Sequence, residues 1–217
     1  MKILGFAGLA LGLASAAAAQ TTPARAPAAP DAARVAPDPF AQALAVRSVA
    51  DFARRQHDPV AMITAARMLQ EIPFADAAGG EASFTPAGLF EEAKILARGD
   101  QMLLMQITVA QSTGNRGVMT SAFGKGLVRR MQTVEPQAAY RFDVEASGGA
   151  PLRVGAIGDI GTALSMRLMD PAGKTVCLDD HGDYGPVCQV LPKASTKYRV
   201  DIVNKSAVKS RAVILSN

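Results

Sequence analysis

The chain has no tryptophan, and aromatic residues fill only 5% of its 217 positions. Its cores must therefore be built from Ala, Leu, Val, Ile and Met. Histidine is also scarce, with only His57 and His181. A serine hydrolase would have to bring one of them beside a serine and an aspartate. No G-x-S-x-G elbow and no H-E-x-x-H helix occurs, so two common hydrolase signatures are missing. The two cysteines, Cys177 and Cys188, form no C-x-x-C, which argues against a thiol-redox role. An excess of one charge is lacking as well: 23 basic against 19 acidic residues leave +4. Arg54–Arg55 and Arg129–Arg130 are isolated pairs with no interleaved aromatics, so nucleic-acid binding is not expected. Glu91 and Glu92 lie mid-helix on what reads as a solvated face, and nothing favours the two-carboxylate geometry of a glycosidase.

Hydrophobic residues make up 49% and charged residues 19%, a globular composition. Residues 1–19 read as an export signal: Lys2 supplies the positive start, Ile3 to Leu13 an apolar run of secretory length, and Ala17-x-Ala19 the small residues of a cut after Ala19. The run is too short for a bilayer core of ~30 Å. No Cys follows the cut to carry an acyl anchor, and no later stretch could span a membrane. The expected location is the periplasm or outside the cell. Residues 20–38 are rich in Pro and Ala with almost no large apolar side chains, and read as a disordered linker.

Helical signals fill residues 39–113. Asp38–Pro39 and Asp58–Pro59 each pair a cap with a first-turn proline. Phe40, Leu44, Ala45, Val49 and Phe52 suggest the inner face of a first helix, and Val60, Ile63, Ala66 and Leu69 that of a second, which Ile72–Pro73 ends. Phe74–Ser83 reads as a loop. Thr85–Pro86 opens a third helix with Leu89, Phe90, Ala93 and Leu96 inward, and Met102–Gln111 forms a fourth after Gly99–Asp100. The spacing predicts paired helical hairpins. Met62, Met68, Met102 and Met105 fall on these helices; core filling is the plainer reading, and an adaptable binding groove the other.

From about Leu127 the hydrophobic period changes from 3.6 to 2. Strands are predicted near Leu127–Thr133, Ala139–Glu145, Leu152–Ala156, Ala163–Met169, Lys174–Leu178, Val187–Leu191, Lys197–Val203 and Arg211–Leu215. Gly, Pro and Asp lie between them, as in Asp170-Pro-Ala-Gly173. About eight short strands at this spacing argue for an antiparallel β-sandwich over residues 127–217. The expected fold class is thus α+β in two modules, helical hairpins followed by a sandwich.

Several segments of that half together resemble the bacterial pre-peptidase C-terminal domain. They are Tyr140 to Val144 (YRFDV), Gly158–Asp159, Leu164-x-Met-x-Leu168, Asp170 to Gly173, Cys177-x-Asp179-Asp180 and Tyr198-x-Val-x-Ile-x-Asn204. The resemblance implies a β-sandwich of secreted proteins, often appended to peptidases, and an accessory or binding role. Some members bind calcium, through acidic residues alternating after the Gly-Asp. This chain keeps Asp159 but has Gly161, Ala163 and Ser165 where further carboxylates would stand. Calcium needs six to eight oxygen ligands, so the resemblance carries no calcium site on that run.

One polar cluster remains: Asp179, Asp180, His181 and Asp183, lying between Cys177 and Cys188. A disulfide between the cysteines is expected in an oxidising compartment, with two buried thiols as the alternative. The three carboxylates could hold a hard cation such as calcium, or His181 a transition ion; a solvated turn is the plainer reading. His57 reads as a polar turn residue. Taken together, the residues lead us to expect an exported, non-enzymatic accessory protein of the bacterial envelope, binding a protein or envelope component. The alternatives are a calcium- or glycan-binding module acting through the Asp179–Asp183 loop, or a secreted hydrolase with an unfamiliar site.

Overall fold

Among the described residues four helices come first, each started by a side chain that accepts orphan backbone N–H groups of its first turn. They are α1 (Pro39–Gln56), α2 (Pro59–Gln70), α3 (Pro86–Ala97) and α4 (Gln101–Thr113). Asp38 accepts from Phe40 N at 3.0 Å, Asp58 from Val60 N at 2.9 Å, Thr85 from Gly88 N at 3.0 Å and Asp100 from Met102 N at 2.9 Å. Proline follows the cap in the first three, where its missing N–H costs nothing. His57 ends α1 in the left-handed region, at φ 55°, so the chain reverses into α2 and His57 is the turn residue expected.

The computed structural model describes residues 38–76, 82–113 and 127–217. The export signal, the linker up to residue 37, residues 77–81 of the Phe74–Ser83 loop and the segment 114–126 lie outside the described residues.

Nine strands among the described residues follow the helices or interrupt them: β1 (Phe74–Asp76), β2 (Leu127–Val134), β3 (Ala139–Ala146), β4 (Leu152–Ile157), β5 (Leu164–Met169), β6 (Thr175–Asp179), β7 (Val187–Val190), β8 (Thr196–Asn204) and β9 (Ser210–Ser216). The eight strands expected after residue 127 are all present, each displaced by no more than a residue at either end. β1 corrects the sequence reading, which had Phe74–Ser83 as a loop: three residues pair in parallel with the start of β2. Three residues are too few for the pattern to show a period.

The strands form two sheets, ordered β1-β2-β9-β4-β7 and β3-β8-β5-β6. Apart from β1, all ladders are antiparallel. Between the sheets lie Leu152, Val154, Ala156, Ala212 and Ile214 from one side, and Leu164, Met166, Leu168, Tyr198, Val200 and Ile202 from the other. This is the sandwich interior.

The helices pack on the other face of the larger sheet. Ile157, Val213 and Leu215 join Phe40, Ala43, Val46, Met62, Leu69, Leu89, Phe90 and Ile107 in one cluster. Helices and sandwich fall within one compact unit, Pro37–Asn217. β9 is thus buried on both faces, which is why it reads as an unbroken apolar run rather than an alternation. The inner face of α1 differs from the expected one. Phe40, Ala43, Val46, Ala50 and Ala53 are buried, Leu44 and Val49 only flank the cluster, and Phe52 is exposed. Small alanines let the α1 backbone approach its neighbours, so bulk was a poor guide to direction. Val60, expected inward on α2, is likewise exposed, and Met62 is buried in its place.

Candidate functional site

Cys177 on β6 and Cys188 on β7 are joined in a disulfide, with Cα atoms 5.8 Å apart. β6 ends one sheet and β7 ends the other, so the bond closes one side of the sandwich. The loop between them is an arch from sheet to sheet.

The carboxylates of that arch turn to three different partners. Asp179 accepts from Val187 N at 2.8 Å and lies 2.6 Å from His181 Nδ1. Burial pushes the Asp179 carboxyl up, but donation from Val187 and His181 outweighs it and the net direction is down. The His181 ring, otherwise fully in solvent, is pushed up by its hydrogen bond to Asp179. Asp180 pairs with Lys205. Asp183 accepts from Gly185 N at 2.8 Å and from Arg47 Nη2 at 2.6 Å. Among the described residues, no three His, Cys, Asp or Glu side chains are grouped to hold a metal ion. Each carboxylate already has a donor from its own chain.

Asp159, the other acidic residue singled out from the sequence, accepts from Arg211 through its backbone N at 2.9 Å and its Nε at 3.1 Å. Burial pushes this carboxyl up, and Arg211 and Ser83 bring it below the ordinary range.

What the arch does is grip α1. Arg47 donates through Nη1 to Gly185 O at 2.7 Å and through Nη2 to Asp183, and its guanidinium lies 4.4 Å from the centre of the Tyr184 ring. A Cβ on Gly185 would stand 2.0 Å from Arg47 Nη1, so a larger residue there would displace the guanidinium from its place. Tyr184 donates its hydroxyl to Asp51 and accepts from Arg54 Nη1 at 3.3 Å. Arg54 forks onto Glu92 of α3, with Nε to Oε2 at 2.8 Å and Nη2 to Oε1 at 3.0 Å. Such paired charge-assisted bonds fix orientation as well as distance. One half-buried polar clasp thus ties α1, α3 and the disulfide arch together.

The residues of this clasp were not recognisable from the sequence as a site. Glu92 corrects the reading of Glu91–Glu92 as a solvated pair: Glu91 faces Lys94, while Glu92 is held by Arg54. The available signal was the spacing of Arg47, Asp51 and Arg54, which puts three charges on one face of α1. Nothing in the sequence placed Tyr184 against that face.

The clasp sets a pH dependence. Burial, and then donation to Asp51, push the Tyr184 hydroxyl up to about 12. An unfolded tyrosine ionises near 10. The contribution of the Tyr184 hydroxyl is therefore complete below about pH 10 and is lost as pH rises through about 12. The ring is half-buried and solvent-screened, so the loss is of order 1–2 kcal/mol. Urea unfolding across that range is expected to show it, and Tyr184→Phe to flatten it.

His181 bonds to Asp179 alone, and among the described residues neither histidine is hydrogen-bonded to a serine or threonine hydroxyl. The four methionines divide. Met62 is buried and Met68 lies against the core, whereas Met102 and Met105 are 73% and 70% exposed. α4 carries no charged residue along its length, yet only Ile107 and Ala110 are buried in it. No helix among the described residues is long and apolar enough to cross a membrane.

No protein-family model matches the chain, and a search of curated proteins returns no match. Among solved structures, the chain is similar to Yersinia pseudotuberculosis-derived mitogen, at 10% identity over 42% of this chain and 85% of that one, with a TM-score of 0.32. It is also similar to a periplasmic inhibitor of g-type lysozyme from Aeromonas hydrophila, at 11% identity over 44% and 90%, TM-score 0.34. A third similarity is to the pre-peptidase C-terminal domain of a Bacillus anthracis collagenase, at 8% identity over 43% and 77%, TM-score 0.27.

Proposed function

We propose that this chain is an exported, non-enzymatic binding protein of the bacterial envelope that meets a protein partner through α4. The observation that carries this reading is the uncharged outer stripe of α4. Met102, Met105 and Val109 recur at helical spacing, each more than half exposed. Contiguous exposed apolar surface on a folded protein ordinarily marks a contact, and methionine adapts its shape to a partner. The export signal read in residues 1–19 supports the compartment. The Cys177–Cys188 disulfide does so too, since such bonds persist where the surroundings are oxidising.

The test is cross-linking of the tagged protein in envelope extracts, with Met102→Glu/Met105→Glu beside the wild type. A specific partner recovered by the wild type is expected to fall at least tenfold in affinity for the variant, about 1.4 kcal/mol or more. Equal recovery by the two would remove α4 from the interface. A melting temperature raised by calcium, and restored to its original value by Asp179→Ala/Asp180→Ala, would favour the arch as the binding element instead.

A further inference from the structure

The outer face of the β3-β8-β5-β6 sheet concentrates arginine around one buried carboxylate. The register sets Arg141 of β3, Asp201 of β8 and Arg167 of β5 in a single row across three strands. Arg199 lies two residues along β8. Asp201 is only 2% exposed, and its oxygens are approached by Arg167 Nη2 at 2.9 Å, Arg141 Nε at 3.6 Å and Arg199 Nε at 3.6 Å. Only the first is a hydrogen bond, and Asp201 Oδ1 accepts none. Three positive charges thus converge on one negative charge, and each guanidinium side chain remains about half exposed or more.

This arrangement is poor as a stabilising device. A buried carboxylate needs a cationic partner, and Arg167 supplies one through a hydrogen bond; the two further guanidinium groups stand 3.6 Å away without a hydrogen bond and repel Arg167 and each other. It is well suited to hold anions. A guanidinium has five N–H donors; Arg167 commits one nitrogen, and the Arg141 guanidinium makes no hydrogen bond among the described residues. With strands ~4.8 Å apart, Arg141 and Arg167 stand roughly 10 Å apart along the row.

We propose that this row binds a linear acidic polysaccharide, its carboxylate or other oxyanion groups seated on Arg141 and Arg167 with Arg199 beside them. Asp143 and Glu145 stand on the same face of β3, with Asp143 opposite Arg199 and Glu145 opposite Lys197. A flat anionic bilayer would meet these carboxylates together with the arginines, whereas a linear chain can follow the arginine row and miss them. The site is separate from α4, and its failure would leave the α4 contact untouched.

The experiment is binding of the full chain to fluorescent polygalacturonate at low salt. Wild-type binding is expected to weaken steeply with added salt. Arg141→Gln/Arg167→Gln should lower affinity at least tenfold, and Lys193→Gln/Lys209→Gln, the same loss of charge elsewhere, less than about twofold. Arg141→Gln alone leaves the Arg167–Asp201 bond in place; it is expected to cost about threefold in affinity with no change in melting temperature. Equal losses in the two double variants, or no wild-type binding, would overturn the proposal. So would capture of phosphatidylglycerol vesicles without polygalacturonate.

Discussion

Phe40→Ala is expected to destabilise the protein by about 3–5 kcal/mol, the range for deleting a buried aromatic ring. Phe40 is 2% exposed in the first turn of α1. Its ring rests on β4: a Cβ added to Gly155 would lie 3.2 Å from Phe40 Cζ, so glycine leaves the space the ring fills. Arg153, two residues before, covers the ring with its guanidinium 5.0 Å from the centre. The same guanidinium pairs with Asp38, the cap of α1. That pairing is the leading cause holding the Asp38 carboxyl below its ordinary range. Removing the ring therefore opens a void between a helix and a sheet and unseats the cation above it. Chemical denaturation measures the loss. The midpoint should fall with the slope unchanged, because the same surface is exposed on unfolding. A loss under about 1 kcal/mol would mean that α1 does not lean on the sandwich.

The second large effect is expected at the disulfide. Cys177→Ala/Cys188→Ala should cost roughly 3 kcal/mol, from the chain entropy that a loop of this length regains when opened. The consequence extends past β6 and β7. The arch carries Asp183, Tyr184 and Gly185, the residues that hold Arg47, Asp51 and Arg54. With its ends untied, the arch is left to the clasp, the Asp180–Lys205 pair and the backbone bonds from Gly158 N to Tyr184 O and from Leu164 N to Asp183 O. Hydrogen exchange should accelerate at Tyr184 and Gly185, and at α1 amides near Arg47, more than in β3 or β8. Uniform acceleration would show that the bond stabilises the whole chain without positioning the arch.

Much of this fold was legible in the residues. The change from period 3.6 to period 2 near Leu127 marks where strands replace helices, and Gly, Pro and Asp mark the turns. The division into sheets was not legible, because register depends on partners distant in the chain. β3 pairs with β8 across the whole of Ala139–Ala146, and no local signal links them. The run Ala212 to Leu215 did contain the third layer: four consecutive apolar residues on a short strand require cover on both faces. Those faces are the sandwich interior and the helices. The Asp179–Asp183 arch was visible as a polar cluster, but its carboxylates face Val187, Lys205 and Arg47, and two of these three come from elsewhere in the chain. The composition of a loop reports its polarity and cannot report which distant donors reach it.

The central claim is that helices and sandwich rest on opposite faces of one sheet and stand or fall together. Native-state hydrogen exchange at increasing urea, followed at buried amides of α2 and β8, tests it most directly. The account predicts that both sets converge on the same opening free energy and the same dependence on urea. Exchange of α2 through a separate, cheaper opening that leaves β8 protected would contradict it.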